Sequence, residues 1–530
     1  MAKSTPPAAV HAYLVGGGIA SFAAAVFLIR DGQVPGANIH IFEEAAQAGG
    51  SLDAAGQAER GYVLRGGRMM NFTYFCTYEV LASIPSLEHP GKSAYDDIFE
   101  FDRQIKTSAQ ARLVNREGYI LDVTSMGFTE PDRLEMVELM ALPELLLGTK
   151  RIDDWFKPGF FKTNFWLMWA TMFAFQPWHS LVEFRRYLLR FIHEFPRIGT
   201  LAGVDRTPYN QYDSIVLPIM TWLRAQGVDF RMSCQVTDLD FAPDVDAKTV
   251  TGVRYTQAGQ PHTQAVRPHD LVMMTNGSMA ANSTLGSMTA APVLNTTKVD
   301  GAWALWKTVA TKYSDFGRPY VFDGRSDEAK WESFTVTCKG TRFFDLMAKF
   351  SGNKAGTGAL VTLVDSSWLL SVVLAYQPHF RNQPADVTVF WGYGLFPDRV
   401  GDYVQKKMSA CTGEEILTEL LGHLHFTGEQ AAIIASANCI PCMLPYITSP
   451  FLTRSPGDRP EVVPQGSTNF AFLGQFAEVP DDVVFTVEYS VRSAQMAVYE
   501  LLKLDKKPPA VYKGQHDVKV LYNAMKAMHR

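Results

Sequence analysis

The residue types best suited to chemistry lie in three short stretches. The first, Gly16-Gly17-Gly18-Ile19-Ala20-Ser21, follows the apolar run Ala12 to Val15 and precedes FAAAVFLI. Read as strand, turn and helix, it is a G-x-G-x-x-G/A pattern closed by Ser21. Gly16 allows the tight turn, Gly18 lets the backbone approach a pyrophosphate, and Ser21 is small enough for the helix to pack closely on a sheet, its N-terminus facing the phosphates. Glu43 ends a second apolar run, NIHIFE, where a carboxylate can accept hydrogen bonds from a ribose. It lies 27 residues beyond Gly16, and the inserted turn RDGQVPGAN absorbs the excess over the usual spacing. The second stretch, Gly66-Gly67-Arg68-Met69-Met70-Asn71, is a loop able to come close to a cofactor, with two methionines where a reactive polar group is expected. A thioether accepts no proton at neutral pH; what it offers is packing against a ring or an apolar chain. The third carries Tyr187 at the edge of an apolar helix face, where pattern alone reads a core tyrosine.

Gly49-Gly50, just past the second strand, suits a loop that passes closely over a bound phosphate and favours FAD over NAD. The rest of this unit lies far along the chain. RPHDLVMMTNGS reads as a strand ending near Asn276, and TNFAFLGQFAEVPDDVVFTVEYSVRSAQMAVYELL as a strand, Gly474, a loop and a long helix. The start of that helix, near Phe485 and Thr486, is expected at the ring end of FAD. The fold class expected is therefore α/β: a discontinuous Rossmann-like FAD-binding domain with an inserted substrate-binding domain and helical segments. The boundaries are 1–80, 205–290 and 460–502 for the FAD-binding domain and 81–204 for a largely helical cavity region. A substrate-binding domain follows at 291–459, then a C-terminal segment at 503–530.

Ser180 and Glu183 have capping-box spacing, so a helix is expected to start at Ser180, with Leu181, Phe184, Leu188, Phe191 and Ile192 on one apolar face. A second helix is expected from about Ser214, capped by Asp213 or Ser214, after a polar turn at Tyr209, Asn210 and Gln211. At 530 residues, 47% hydrophobic and with a net charge of −5, the chain is globular and carries no basic surplus for nucleic acid. Its longest apolar run, Phe165 to Phe175, is short of the roughly 20 residues of a membrane span, so a cytoplasmic protein is expected. The six cysteines are expected to be reduced, Cys439 and Cys442 being buried thiols in spite of their C-x-x-C spacing. No metal is expected.

Across essentially its whole length the chain resembles the FAD-dependent oleate hydratases, once called myosin-cross-reactive antigens. The matching segments include HAYLVGGGIAS, LIRDGQVPGANIHIFE, RGGR, NFWLMWATMFAFQPWHS, YNQYDS, TNGS, YGLFPD and GQFAEVPDDVVFTVEYSVRSAQ. The resemblance implies FAD and a long-chain unsaturated fatty acid such as oleate, hydrated at its cis-9 double bond to the 10-hydroxy acid. It implies that Tyr187 donates the proton. The acid that normally follows Gly-Gly-Arg and activates water is replaced here by Met69, which leaves Asn71, backbone groups and the flavin edge to hold the water. The family's Thr-x-Asn carboxylate handle aligns with Val373 and Ala375, so Tyr376, Gln377 or His379 is expected to replace it. Only ten residues precede His11, which tips the expectation from homodimer to monomer. Transient contact with a membrane surface is compatible with such a substrate. The competing expectations are an FAD-dependent oxidoreductase of the desaturase or amine-oxidase type and a non-catalytic FAD or lipid binder.

Overall fold

The glycine loop is held at the carboxyl end of a sheet of five parallel strands. Ala12–Val15, Ile39–Phe42, Asp229–Arg231, Leu271–Thr275 and Phe470–Leu473 form one parallel sheet, in the spatial order 470–473, 271–275, 12–15, 39–42, 229–231. The computed structural model describes residues 6–67, 69–244 and 246–530. The central strands are short, continuous apolar runs because both faces of the sheet are covered. One cover is the helix Ile19–Arg30, buried from Ile19 to Leu28 and packed against the helix Val487–Leu501. It lies between sheet and helix and so has no polar face.

The second sheet has seven strands, ordered Thr284–Leu285, Ala437–Leu444, Trp331–Lys339, Val387–Gly394, Leu370–Val373, Val361–Leu363 and Leu113–Val114. Its strands pair antiparallel except at the 361–363/113–114 edge. The two edge strands come from segments expected to lie outside this domain, since two-residue strands leave no periodic signal to read. The hairpin Ala54–Gln57 and Gly61–Leu64 leaves the first sheet and binds the second, Tyr62 N–H donating to Thr337 Oγ1 (2.9 Å) and Leu64 N–H to Thr335 Oγ1 (3.1 Å). The loop after Leu64 is thereby carried over Trp391, where an added Cβ on Gly67 would come within 3.3 Å of the indole.

Two helix starts differ from expectation. Ser180 Oγ does accept the Glu183 N–H (3.4 Å), but the Glu183 carboxylate turns inward to Arg454 Nε (2.9 Å) and Arg459 Nη1 (3.0 Å). The reciprocal half of the capping box is therefore missing, because a wholly buried carboxylate between two guanidiniums gains more there than from one backbone amide. Burial alone would raise its pKa; Arg459 and Arg454 outweigh that and lower it to about 2. The second helix opens with a π turn, Tyr212–Val216, and continues as Leu217–Ala225. Its cap is Asn210, whose Oδ1 accepts the Asp213 N–H at 3.0 Å, while Ser214 Oγ accepts instead from Tyr209 N–H at 3.1 Å.

Cys439 and Cys442, three residues apart on one strand, point to opposite faces and are buried free thiols. Among the described residues no helix is long and apolar enough to cross a membrane; the run from Phe165 is a ten-residue helix, Asn164–Phe173. The C-terminal helix Val518–Met528 lies against the 3-10 segment Ile192–Arg197, which follows the Tyr187 helix, Leu181–Arg190.

Candidate active site

The carboxyl ends of the strands 12–15, 39–42, 271–275 and 470–473 open into a cleft of about 450 Å³, lined by Gly16, Gly17, Gly18, Glu43, Gly50, Thr275 and Gly474 among others. This is where an open parallel sheet binds its ligand. Gly16 has φ +100° and donates its N–H to Phe42 O (2.8 Å), which makes the turn. Gly17 N–H donates to Glu43 Oε2 (2.6 Å) and Ala45 N–H to Oε1 (2.7 Å), so the acid is fixed at the strand end by its neighbours' amides. Burial raises the Glu43 pKa, and these two amides work against the rise. Gly49 N–H donates to Gly17 O (2.8 Å), folding the Gly49-Gly50 turn over the first loop.

The cleft fits a dinucleotide diphosphate. A Cβ on Gly18 would meet nothing within 4 Å, and no side chain caps the helix that starts there. Its first amides therefore face the cleft as anion donors. Thr275 Oγ1 and Asn282 Oδ1 are buried at the lining with no hydrogen-bond partner among the described residues, and Arg65 and Lys298 supply cations. Glu44 lines the cleft too, accepting the Gly301 N–H (2.9 Å) and pairing with Lys298 (3.3 Å). Ser21, Gly49, Gly66 and Asn276 stand behind the lining. Ser21 is buried in the helix, Gly66 is buried in its loop, and Asn276 Nδ2 donates to Phe476 O (3.0 Å). Arg68 lies outside the described residues.

Two smaller cavities, of about 70 and 40 Å³, meet at Gly67 and Met69, which line both. The larger brings Met70, Asn71, Tyr187, Phe485 and Thr486 together with Tyr74, Glu194 and Gly203. Tyr187 is wholly buried, its hydroxyl donating to Val484 O (2.5 Å) and its ring boxed by Phe173, Phe175, Phe191 and Phe451. Arg190, on the same helix, fixes the loop opposite through Thr73 (Nη1 to Oγ1, 2.7 Å) and is itself paired with Asp482 (3.1 Å). Thr486 caps the helix Val487–Leu501 by accepting the Tyr489 N–H (3.2 Å).

Asn71 is not available to hold water as the sequence suggested. Its Nδ2 donates to Glu194 Oε1 (2.9 Å) and Gly203 O (3.1 Å), and its Oδ1 accepts from Thr73 N (3.2 Å) and Thr73 Oγ1 (2.7 Å). Its role is to orient Glu194.

The smaller cavity holds Arg206, Thr207, Gln211, Tyr376 and His379 against Val373, Ala375 and Trp391. Met70 and Asp205 exchange backbone hydrogen bonds (2.9 and 2.8 Å), which is what sets Arg206 beside the Met69 loop. The residue is half-buried; its Nε and Nη2 are shut off from solvent and have no hydrogen-bond partner among the described residues. Burial lowers its pKa to about 10, still fully protonated at neutral pH. Burial likewise lowers His379 to about 3, so that imidazole is neutral. Gln377 is not part of the lining. Its amide spans the loop, donating to Ala375 O and Val389 O (both 2.9 Å) and accepting from Gln383 Nε2 (2.8 Å) and Val389 N (2.9 Å), which uses both ends of the side chain.

Sequence reasoning missed Gly17, Gly203, Glu194 and Arg206. Glu194 had a readable signal: it follows Tyr187 by seven residues, two helical turns, and so shares its face. Gly17 is required because a Cβ there would lie 2.8 Å from Glu43 Oε2. Among the described residues one acid and histidine group has ligand-like proximity, Asp402, Glu419 and His423. Glu419 there accepts the N–H groups of Asp402 (2.6 Å), Tyr403 (2.8 Å) and Val404 (2.7 Å), which makes it a clamp on that loop.

A glycine-rich cleft at the ends of a parallel sheet, with two smaller cavities meeting at the Met69 loop, defines an α/β protein with a Rossmann-like sheet. Cyclohexylamine oxidase from Brevibacterium oxydans IH-35A shares this fold, with a TM-score of 0.53 at 13% identity over 93% of this chain and 99% of that one. The chain belongs to the MCRA family, whose model matches residues 9–499. It is 40% identical to an oleate hydratase of Streptococcus pyogenes serotype M49 (strain NZ131), over 97% of this chain and 88% of that protein. It is 34% identical to a linoleate hydratase of Lactiplantibacillus plantarum, over 92% and 93% of the two.

Proposed function

We propose that this protein is an FAD-dependent fatty acid hydratase, adding water to the cis-9 double bond of oleic acid and related acids to give 10-hydroxy acids. The relatives' activities support the reaction class. The observation that carries the reading is the pair of cavities joined at Met69, with an arginine in one whose buried Nε and Nη2 have no partner among the described residues and a buried phenol in the other. A fatty acid is an anion on a long apolar chain. Arg206 takes the carboxylate, with Tyr376, Thr207 and neutral His379 beside it, and the chain passes Met69 toward Tyr187. The two cavities hold only a few waters at about 30 Å³ each, so the acyl chain enters by displacing side chains. Met69, Met70 and Met172, unbranched and freely rotating, are the residues able to yield.

Tyr187 supplies the proton that begins addition across the alkene, and the aromatic box around it excludes bulk water, so the cation that develops meets only the water admitted to the site. FAD, held in the glycine-lined cleft, supplies a fixed planar ring system and consumes no net electrons, since hydration changes no overall oxidation state.

Incubating oleate with the FAD-loaded protein in heavy-oxygen water, followed by mass spectrometry, tests the reading. One labelled hydroxyl at C10 with no net flavin turnover supports it. Bleaching of the flavin by oleate without air makes the protein an oxidoreductase, and binding of both FAD and oleate without product makes it a non-catalytic binder. Two variants test the parts. Gly17→Ala should push Glu43 from its place and weaken FAD retention by about tenfold, read as flavin absorbance per protein after gel filtration. Met69→Ala removes packing and no ionisable group, so hydration should remain measurable.

A further inference from the structure

We infer that Glu194 is a catalytic residue, the carboxylate that takes the proton from the attacking water; the inference rests on the hydratase reading above. Addition of water to an alkene forms one C–H and one C–O bond, and the incoming oxygen must lose a proton. Glu194 is the single carboxylate among the described residues that line the Tyr187 cavity. Beside Tyr187, the other polar side chains there are poor acceptors: Asn71 is fully engaged, the Thr486 hydroxyl donates to Val483 O (2.9 Å) and accepts the Tyr489 N–H, and burial pushes the Tyr74 hydroxyl well above its ordinary pKa.

Glu194 is built to stay ionised. Asn71 Nδ2 (2.9 Å), Arg197 Nη2 (2.7 Å) and His193 Nε2 (3.2 Å) all converge on Oε1. Burial would raise its pKa; the His193 hydrogen bond, the Arg197 charge and the Asn71 amide outweigh burial and leave it below the ordinary glutamate value. Asp205, which accepts the Tyr78 hydroxyl (2.6 Å), and Tyr512 are the other titratable groups that feel its charge. Among the described residues these donors all leave Oε2 unused, and that oxygen lies over the α-carbon of Gly203: an added Cβ there would be 1.9 Å from Oε2 and 2.3 Å from Oε1. Only glycine admits the carboxylate at that position.

The proton count closes. Tyr187 gives its hydroxyl proton to C9, water oxygen bonds to C10, and Glu194 accepts the proton that this oxygen sheds. The proton then returns from Glu194 to the Tyr187 phenolate through water, leaving the hydroxy acid and the starting protonation states.

The test is kcat against pH for the FAD-loaded wild type, Glu194→Gln and Gly203→Ala, with bound flavin and oleate affinity measured for each. Glu194→Gln keeps the side-chain shape and the bond to Arg197 and removes the base. Its kcat should fall about 100-fold with oleate affinity little changed, and the acid limb of the wild-type profile should disappear. Gly203→Ala keeps the acid but displaces it; its kcat should fall similarly, with the double variant no worse than either single one. A wild type that hydrates oleate beside a Glu194→Gln variant of near-normal kcat and unchanged acid limb overturns the inference and leaves the hydratase reading standing. A wild type that forms no hydroxy acid overturns both. Should Glu194→Gln fail to fold, Gly203→Ala decides alone: normal kcat overturns the role, and a lost acid limb with retained oleate binding supports it.

Discussion

Tyr187→Phe is expected to lower kcat by at least ~100-fold while leaving KM for oleate nearly unchanged, because general-acid catalysis is removed and little else is. The phenylalanine ring keeps its contacts with Phe173, Phe175, Phe191 and Phe451. What is lost is a hydroxyl that donates to Val484 O, so a buried carbonyl is stranded and stability should drop by about 1–3 kcal/mol. That cost is small enough for the variant to fold and retain FAD, whose cleft is built from other elements. Turnover should be compared at equal flavin occupancy and well below both melting temperatures. Near-normal turnover in such a variant removes Tyr187 from the mechanism, and a rise in KM alone makes it a packing residue.

The glycine turn and its parallel sheet were legible because local constraints write themselves into the sequence. A turn at φ +100° calls for Gly16, an open approach calls for Gly18, and a sheet covered on both faces calls for continuous apolar strands. The substrate half obeys no such local rule. Arg206 reads as one more arginine in a polar loop; its meaning comes from the Met70–Asp205 pairing, which buries it beside residues 170 positions away. Gln377 sits beside Tyr376 in the sequence, yet the loop needs its amide to satisfy Val389 and Ala375, and so it is withdrawn from the cavity. Glu183 and Asn71 were misjudged in opposite directions. Spacing suggested a helix cap for one, and the missing family acid suggested a water-holding amide for the other, whereas buried charged partners, Arg454 and Arg459 in one case and Glu194 in the other, claimed both. Helical spacing did contain Glu194, but the α-helix ends at Arg190 and a 3-10 segment carries Glu194, so the spacing by itself does not place the carboxylate in the cavity.

Arg206→Leu should separate binding from stability. On the proposed reading the guanidinium answers the substrate carboxylate, and removing one partner of such a pair costs about 2–5 kcal/mol, so KM or Kd for oleate should rise by roughly 100-fold. Without substrate two nitrogens of the same guanidinium, Nε and Nη2, are buried and unpartnered among the described residues, and Asp102, an acid whose charge it feels, accepts the Arg206 backbone N–H (2.8 Å). An uncompensated buried charge opposes folding, so leucine in that place should raise the melting temperature of the substrate-free protein. Oleate should then stabilise the wild type strongly and the variant weakly, since ligand stabilisation follows affinity. Oleyl alcohol, with the same chain and no charge, should lose little on going from wild type to variant. Melting curves of both proteins, each with neither ligand, with oleate and with the alcohol, give all these comparisons. A variant that binds oleate as tightly as the wild type, or loses oleate and alcohol equally, places the carboxylate elsewhere and makes Arg206 a structural residue of the loop.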